Sequence, residues 1–172
     1  MKHFIFIAVI IIFALLQATI LNYVNIFNVK PDLLLISVII ASLFFKPIWA
    51  ISLSIFAGVL KDIFSVNVFG LNSILFFLWS LLIIKLSRKM SFDSNYVRLV
   101  FIFIIAILNN IITRLIFIFL GNFISLGLFL RITFVGSLYT ALIFPLALKF
   151  ARNLLSMSEP RTFGHIQKTI KE

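Results

Sequence analysis

The sequence contains no cysteine and few charged residues. The absence of cysteine excludes disulfide bonds, thiol chemistry and zinc-thiolate sites. Only 12% of the 172 residues are charged, whereas about a quarter are charged in a typical soluble domain. The two histidines, His3 and His165, lie near opposite ends of the chain, so no metal cluster is suggested.

Acidic residues are the scarcest charged type, with five in the whole chain. They leave little material for acid-base catalysis. The sequence also has no Ser-His-Asp arrangement, no phosphate-binding glycine loop, no paired carboxylates and no metal-ligand spacing. We therefore expect a protein that is not an enzyme and binds no cofactor.

Apolar residues are abundant: 63% of the chain is hydrophobic and the mean hydropathy is +1.23. These values predict an all-α integral membrane protein. The net charge of +10 would suit a nucleic-acid partner, but basic residues in membrane proteins usually record topology and contact with anionic lipid. We expect membrane lipid, and no nucleic acid, as the partner of these charges.

Six hydrophobic segments predict a compact six-helix transmembrane bundle in residues 1–150, followed by a basic cytoplasmic tail at 151–172. The first segment continues without an A-x-A cleavage site, which favours a retained helix over a signal peptide. The predicted helices are residues 4–21, 33–45, 48–60, 71–86, 97–120 and 128–149.

The second and third segments are short, with 13 residues each on either side of Lys46-Pro47. At 1.5 Å per residue each would span only about 20 Å, less than the hydrocarbon core of a bilayer. They are either short helices shielded inside the bundle or a re-entrant hairpin that bends at Lys46-Pro47. Both arrangements leave Lys30 and Lys61 on the same side.

The distribution of Lys and Arg predicts that both termini are cytoplasmic. With six crossings and an inside amino terminus, eleven basic residues lie inside and only Lys30, Lys61 and Arg131 lie outside. Arg114 remains within a helix. The eleven are Lys2, Lys46, Lys85, Arg88, Lys89, Arg98, Lys149, Arg152, Arg161, Lys168 and Lys171.

Polar residues within the apolar segments are the candidate functional residues. Arg114 is costly at membrane depth unless it reaches the headgroups or pairs with an acid, and Asp62 is its candidate partner. Asn110 lies four residues before Arg114, so both share a helix face and could form one network with Asp62. Asn109 and Asn110 are expected to cross-link helices.

Glycine and proline mark the expected turns and close contacts. Ser54 and Gly58 place small residues four apart, as in helices that approach closely. Gly70 and Asn72 form an expected tight turn before the fourth helix, with Gly70 free to adopt positive φ. Pro31-Asp32 indicates a helix start, and Pro145 should kink the sixth helix.

In order and spacing, these motifs resemble the rod shape-determining MreD family over roughly residues 31 to 150. The motifs are Pro31-Asp32-Leu33-Leu34-Leu35, Lys46-Pro47, Gly58-Val-Leu-Lys-Asp62, Gly70-Leu71-Asn72 and the closing helix with Tyr139 to Pro145. Lys61 is a departure, since an apolar residue is expected before the aspartate.

The resemblance implies a non-enzymatic protein of the bacterial inner membrane. It would belong to the cell-wall elongation machinery and work beside MreC, the MreB cytoskeleton, the RodA glycan polymerase and its partner transpeptidase. The family is thought to share its fold with the substrate-binding S components of energy-coupling-factor transporters, so fold alone does not separate the two.

Two alternatives remain at this point. A vitamin-binding S component would need a closed extracellular pocket lined by aromatic and polar side chains, and the predicted outer loops have few polar groups. A lipid-handling or peptidoglycan-precursor transporter subunit would need a basic cavity at membrane depth, for which Arg114 alone is weak support.

Overall fold

A computed structural model describes residues 2–19, 29–64, 69–88, 95–121 and 125–156. Within these ranges the protein is all-helical, with six helices and no β-strand. In chain order they are α1 (Lys2–Ala18), α2 (Leu33–Phe44), α3 (Pro47–Phe64), α4 (Leu71–Ser87), α5 (Asn95–Phe119) and α6 (Leu126–Ser156).

Two helices extend beyond their predicted ends by more than one residue. The third was expected to end at Leu60, but α3 continues to Phe64 and includes Lys61 and Asp62. The extension follows from the burial of Asp62, which packs inward as part of the helix face. The sixth helix continues to Ser156, so the predicted tail begins as helix. The rest of that tail, and most residues of the connections at 22–30 and 87–96, lie outside the described residues.

Helix α2 is the central element of the bundle. It packs against all five other helices, and its residues from Leu33 to Ser42 are all buried. With 12 residues it is about 18 Å long. Helix α2 is thus short and enclosed by other helices, which cover its continuous apolar run on every side; the choice between a short helix and one arm of a re-entrant hairpin stays a prediction. For the third segment the predicted length is wrong, since α3 has 18 residues.

The long helices expose apolar side chains. On α6, Leu138, Leu142 and Leu146 are spaced four apart and are 53%, 64% and 70% exposed. Val100 and Ile104 continue the same pattern on α5. An apolar surface of this extent is typical of contact with membrane or protein.

The interior, by contrast, contains polar groups. Ser54, Ser80 and Ser137 are completely buried.

Among the described residues, three helices are long and apolar enough to cross a membrane, at Pro47–Phe64, Val97–Phe119 and Gly127–Leu154. These are the features of a membrane protein. The other three helices, α1, α2 and α4, are apolar but shorter.

Helices α3 and α4 approach most closely at Gly58. A Cβ atom at this position would lie 2.4 Å from Ser73 Cα, 2.8 Å from Ser73 N and 2.9 Å from Asn72 O. All three neighbours are backbone atoms, which cannot rotate away. The expected close contact at the Ser54 to Gly58 spacing is therefore confirmed, with the start of α4 as the partner.

We predict that Gly58→Ala destabilises the bundle by about 1 to 3 kcal/mol, the usual range for overpacking. The measurement is the midpoint of unfolding in sodium dodecyl sulfate, followed by the fluorescence of Trp49 and Trp79. Gly127→Ala is the matched control, because nothing lies within 4 Å of its Cβ position. Alanine there should be neutral or slightly stabilising through helix propensity. Equal effects of the two substitutions would contradict the close contact.

Candidate functional site

Asp62, near the end of α3, caps the start of α4. Its Oδ1 accepts hydrogen bonds from Asn72 N at 3.0 Å and from Asn72 Nδ2 at 2.9 Å. Its Oδ2 accepts from Ser73 N at 3.1 Å and from Ser73 Oγ at 2.7 Å. We call Asp62, Asn72 and Ser73 the Asp62 cap.

The need for this cap arises from the residue at the helix start. The first backbone N–H groups of a helix have no partner within it, and an N-cap side chain normally accepts from the second or third of them. Gly70 holds the N-cap position of α4 and has no side chain to do so. Asp62 therefore supplies from α3 the acceptor that Gly70 lacks, and its negative charge is favourable at the positive end of the α4 dipole.

Gly70 and Gly58 make this arrangement possible. Gly70 adopts a φ of 95°, in the left-handed region that favours glycine, which confirms the predicted turn. Gly58 lies one helical turn before Asp62, on the same face of α3. Without a Cβ there, α3 comes close enough for the Asp62 carboxylate to reach the first turn of α4.

Asp32 caps the start of α2 in the ordinary way. It is the N-cap residue, and its Oδ1 accepts from Leu35 N at 3.0 Å. Neighbouring helices satisfy two further N–H groups there: Leu34 N donates to Gln17 Oε1 of α1 at 3.2 Å, and Asp32 N donates to Thr140 Oγ1 of α6 at 3.0 Å. The start of α2 is thereby joined to both helices.

Lys61 forms an ion pair with Asp32. Its Nζ hydrogen-bonds Asp32 Oδ2, and the two side chains are only 18% and 15% exposed. The same Nζ lies 4.8 Å from the centre of the Phe76 ring, a cation-π contact. The charge of Asp32 thus holds the Lys61 side chain inward. The pair also places the start of α2 and the end of α3 at one end of the bundle, which agrees with both arrangements considered for these segments.

Asn109 and Asn110 connect α5 to its two neighbours. Asn109 Oδ1 accepts from Trp79 Nε1 of α4 at 3.0 Å, and both side chains are buried. Asn110 Nδ2 donates to Ser137 Oγ of α6 at 3.1 Å. Adjacent residues on a helix point in different directions, so one pair of amides links α5 to both sides, in agreement with the prediction that they cross-link helices.

The predicted ion pair between Asp62 and Arg114 is absent from the described part of the structure. Both Asp62 oxygens bond the start of α4, and Asn110 bonds Ser137 and not Asp62. The predicted network of Asp62, Asn110 and Arg114 is therefore wrong. The physical reason is that Asn72 and Ser73 at the start of α4 each offer Asp62 a backbone N–H and a side-chain donor, and these four groups bond its two oxygens.

The remaining predicted residues have separate positions. Pro31 is buried immediately before the Asp32 cap, where the missing N–H of proline requires no partner. Pro145 lies inside α6 and lines a groove between α5 and α6, while a kink and a freed carbonyl near Ala141 stay predictions. Sequence reasoning missed Ser73, which donates to Asp62, and Thr140, which accepts from Asp32 N. Their only signal was a hydroxyl within an apolar segment.

These interactions hold helices together and leave few groups free for chemistry. Within the described ranges, no group of three or more His, Cys, Asp and Glu side chains could hold a metal ion. The two buried or half-buried acids, Asp32 and Asp62, each act as helix caps. The site therefore joins α2, α3, α4 and α6. We call this end of the bundle, with Asp32, Lys61 and the Asp62 cap, the Asp62 corner.

Comparisons with protein-family models, with curated proteins and with solved structures gave no match for this chain.

For the Asp62 cap we predict that Asp62→Asn costs about 2 kcal/mol of stability, because an amide replaces one acceptor oxygen with a donor facing other donors. A double-mutant cycle with Ser73→Ala should give a coupling energy of about 1 kcal/mol. The same cycle with Arg114→Gln should be additive within about 0.5 kcal/mol. Both cycles use the unfolding midpoint in sodium dodecyl sulfate. Stronger coupling to Arg114 than to Ser73 would restore the ion-pair hypothesis.

For the Lys61 pair we predict that Lys61→Met costs about 1 kcal/mol, since it keeps the alkyl chain and removes the ammonium that faces Asp32. Asp32→Asn should cost less in the Lys61→Met protein than in the wild type. Asparagine remains a good N-cap, so only the charge pair is lost. The free energies of unfolding of the four proteins provide the measurement, and simple additivity would rule out the pair.

Proposed function

We propose that the protein is a non-enzymatic scaffold of the bacterial cell-wall elongation machinery, of the MreD type, which binds MreC and helps to organise peptidoglycan synthesis. The observation that carries the proposal is that three of the motifs behind the resemblance, those that contain Asp32, Gly58 with Asp62, and Gly70 with Asn72, meet in one corner. Asp32 and Lys61 pair across α2 and α3, and Gly58, Asp62 and Gly70 join α3 to α4.

This convergence supports a structural role for the motifs. Residues far apart in sequence together provide hydrogen-bond partners for the buried N–H groups at the starts of α2 and α4. A catalytic or transport site would need polar groups directed at a substrate, whereas the polar groups of the corner are directed at each other. A rigid corner of this kind suits a protein whose task is to present surfaces to partners.

The membrane arrangement that we propose has six crossings in the bacterial inner membrane, with both termini cytoplasmic. The excess of Lys and Arg in the proposed inner segments supports this orientation. In it, the Asp62 corner faces outward. The short α2 fits because a helix enclosed by other helices does not itself have to reach both bilayer surfaces.

The scaffold would use two kinds of surface. The exposed apolar stripe of α6, from Leu138 to Leu146, offers a surface for the single transmembrane helix of MreC. The basic inner segments would lie against anionic lipid or against the assembly that contains MreB, RodA and its partner transpeptidase. The internal bonds of α5 and α6 through Asn110 and Ser137 would keep the apolar stripe in place.

Depletion of the protein from the cells that carry it is the test of this function. Rod-shaped cells should become round, and re-expression of the wild type or of the Gly127→Ala control should restore rods. Affinity purification from the same cells should recover MreC. The readouts are cell length and width by microscopy, together with identification of the co-purified proteins.

Two results would count against the proposal. Cells that stay rod-shaped but lose uptake of a vitamin would favour the alternative, an S component of an energy-coupling-factor transporter. Cells that become round while no MreC is recovered would contradict the scaffold version and leave a role in cell shape.

A further inference from the structure

A groove of about 450 Å³ lies between the start of α5 and the end of α6. This volume falls within the range of about 300 to 1,000 Å³ that is usual for small-ligand sites. It lies at the end of the bundle where α2 finishes, since the Arg152 guanidinium is 5.3 Å from the centre of the Phe44 ring. The groove is therefore far from the Asp62 corner.

Three cations line this groove, Arg98 of α5 with Lys149 and Arg152 of α6. Among the described residues, none of the side chains that line it is acidic. The positive charges of Arg98 and Arg152 are near enough to repel each other. Guanidinium groups bind phosphate with two hydrogen bonds each, so a groove lined by these three cations suits a phosphate group.

Apart from Asn153 near the end of α6, the remaining residues that line the groove are apolar and lie deeper in the bundle. Phe144 and Pro145 precede Lys149 and Arg152 on α6, and Leu99 follows Arg98 on α5. From Pro145 to Arg152 the groove extends about 10 Å along α6. The wall of α6 next to it exposes Leu146, which is 70% exposed. The groove thus changes from cationic at the end of the helices to apolar towards their middle.

From this gradient we propose that the groove binds the phosphate head group of an anionic membrane lipid, with Arg98, Lys149 and Arg152 on the phosphate and the acyl chains along the apolar wall. Basic pockets between helices at a membrane surface have this chemistry. The site does not depend on the proposed scaffold function, because any membrane protein with this groove would offer it.

Lipid titration of the purified, detergent-solubilised protein, followed by native mass spectrometry, tests the site. Phosphatidylglycerol and phosphatidylcholine with identical acyl chains are the two probes. Phosphatidylglycerol should bind at least tenfold more tightly. The triple variant Arg98→Gln, Lys149→Gln, Arg152→Gln should lose that preference, because each cation near an anionic lipid contributes about fivefold in affinity.

A matched control removes three other cations at the same end of the bundle. Lys46, Lys85 and Arg88 are exposed and do not line the groove. Their triple substitution by Gln changes the net charge equally and should keep the preference for phosphatidylglycerol. The double variant Arg98→Lys, Arg152→Lys keeps the charge and should retain most of the binding, which separates loss of the site from loss of the fold.

Several results would overturn the proposal. The preference for phosphatidylglycerol could survive the groove variant, or disappear equally in the control. Inorganic phosphate at the same concentration could displace the lipid, which would indicate a soluble anion as the ligand. The groove variant could also unfold at a lower sodium dodecyl sulfate concentration with its lipid preference intact. That result would assign the cations to a carboxylate of the chain itself, such as Asp93 or Glu159.

Discussion

The main constraint on this fold is that two helices begin inside the protein. Buried N–H groups without a partner cost free energy comparable to a lost hydrogen bond, and the starts of α2 and α4 present several such groups away from water. Two carboxylates accept hydrogen bonds from these groups. Asp32 caps its own helix, α2, and Asp62 of α3 caps the neighbouring helix α4. Because Gly70 cannot cap α4, the position of α3 is tied to that of α4.

Other contacts follow from these two caps. The negative charge of Asp32 attracts Lys61, which brings the end of α3 to the start of α2. The reach of Asp62 requires the close approach at Gly58. Gln17 and Thr140 add α1 and α6 to the same region. In an environment where the hydrophobic effect contributes little between helices, such polar links and close packing are the main specific forces.

The two ends of the bundle differ in what their charges do. At the Asp62 corner, Asp32 and Asp62 accept hydrogen bonds from helix starts, and Lys61 pairs with Asp32. We interpret the charges at this end as structural. At the groove, three cations line one space between α5 and α6, and no acid is among the described residues that form its walls. The contrast supports the proposals that one end sets the shape of a scaffold and that the other binds the phosphate of a lipid.

Properties that depend on a residue and its near neighbours could be predicted from the sequence. The positive φ of Gly70, the start of α2 at Pro31-Asp32 and the close packing at Gly58 could all be predicted, because the absence of a Cβ or an N–H restricts the backbone wherever the residue lies. The partner of Asp62 could not. Arg114 was the obvious residue of opposite charge. A sequence does not show which backbone N–H groups will be buried without a partner, so the start of α4 was not considered.

Composition and hydropathy therefore determined that the chain is helical and apolar enough for a membrane, and roughly where its helices lie. The tertiary structure decided which polar side chains meet. It placed α2 at the centre, extended α3 through Asp62 and paired Lys61 with Asp32. The physical reason is that a buried polar group takes whichever partner packing brings within about 3 Å, and that distance is a property of the assembled helices.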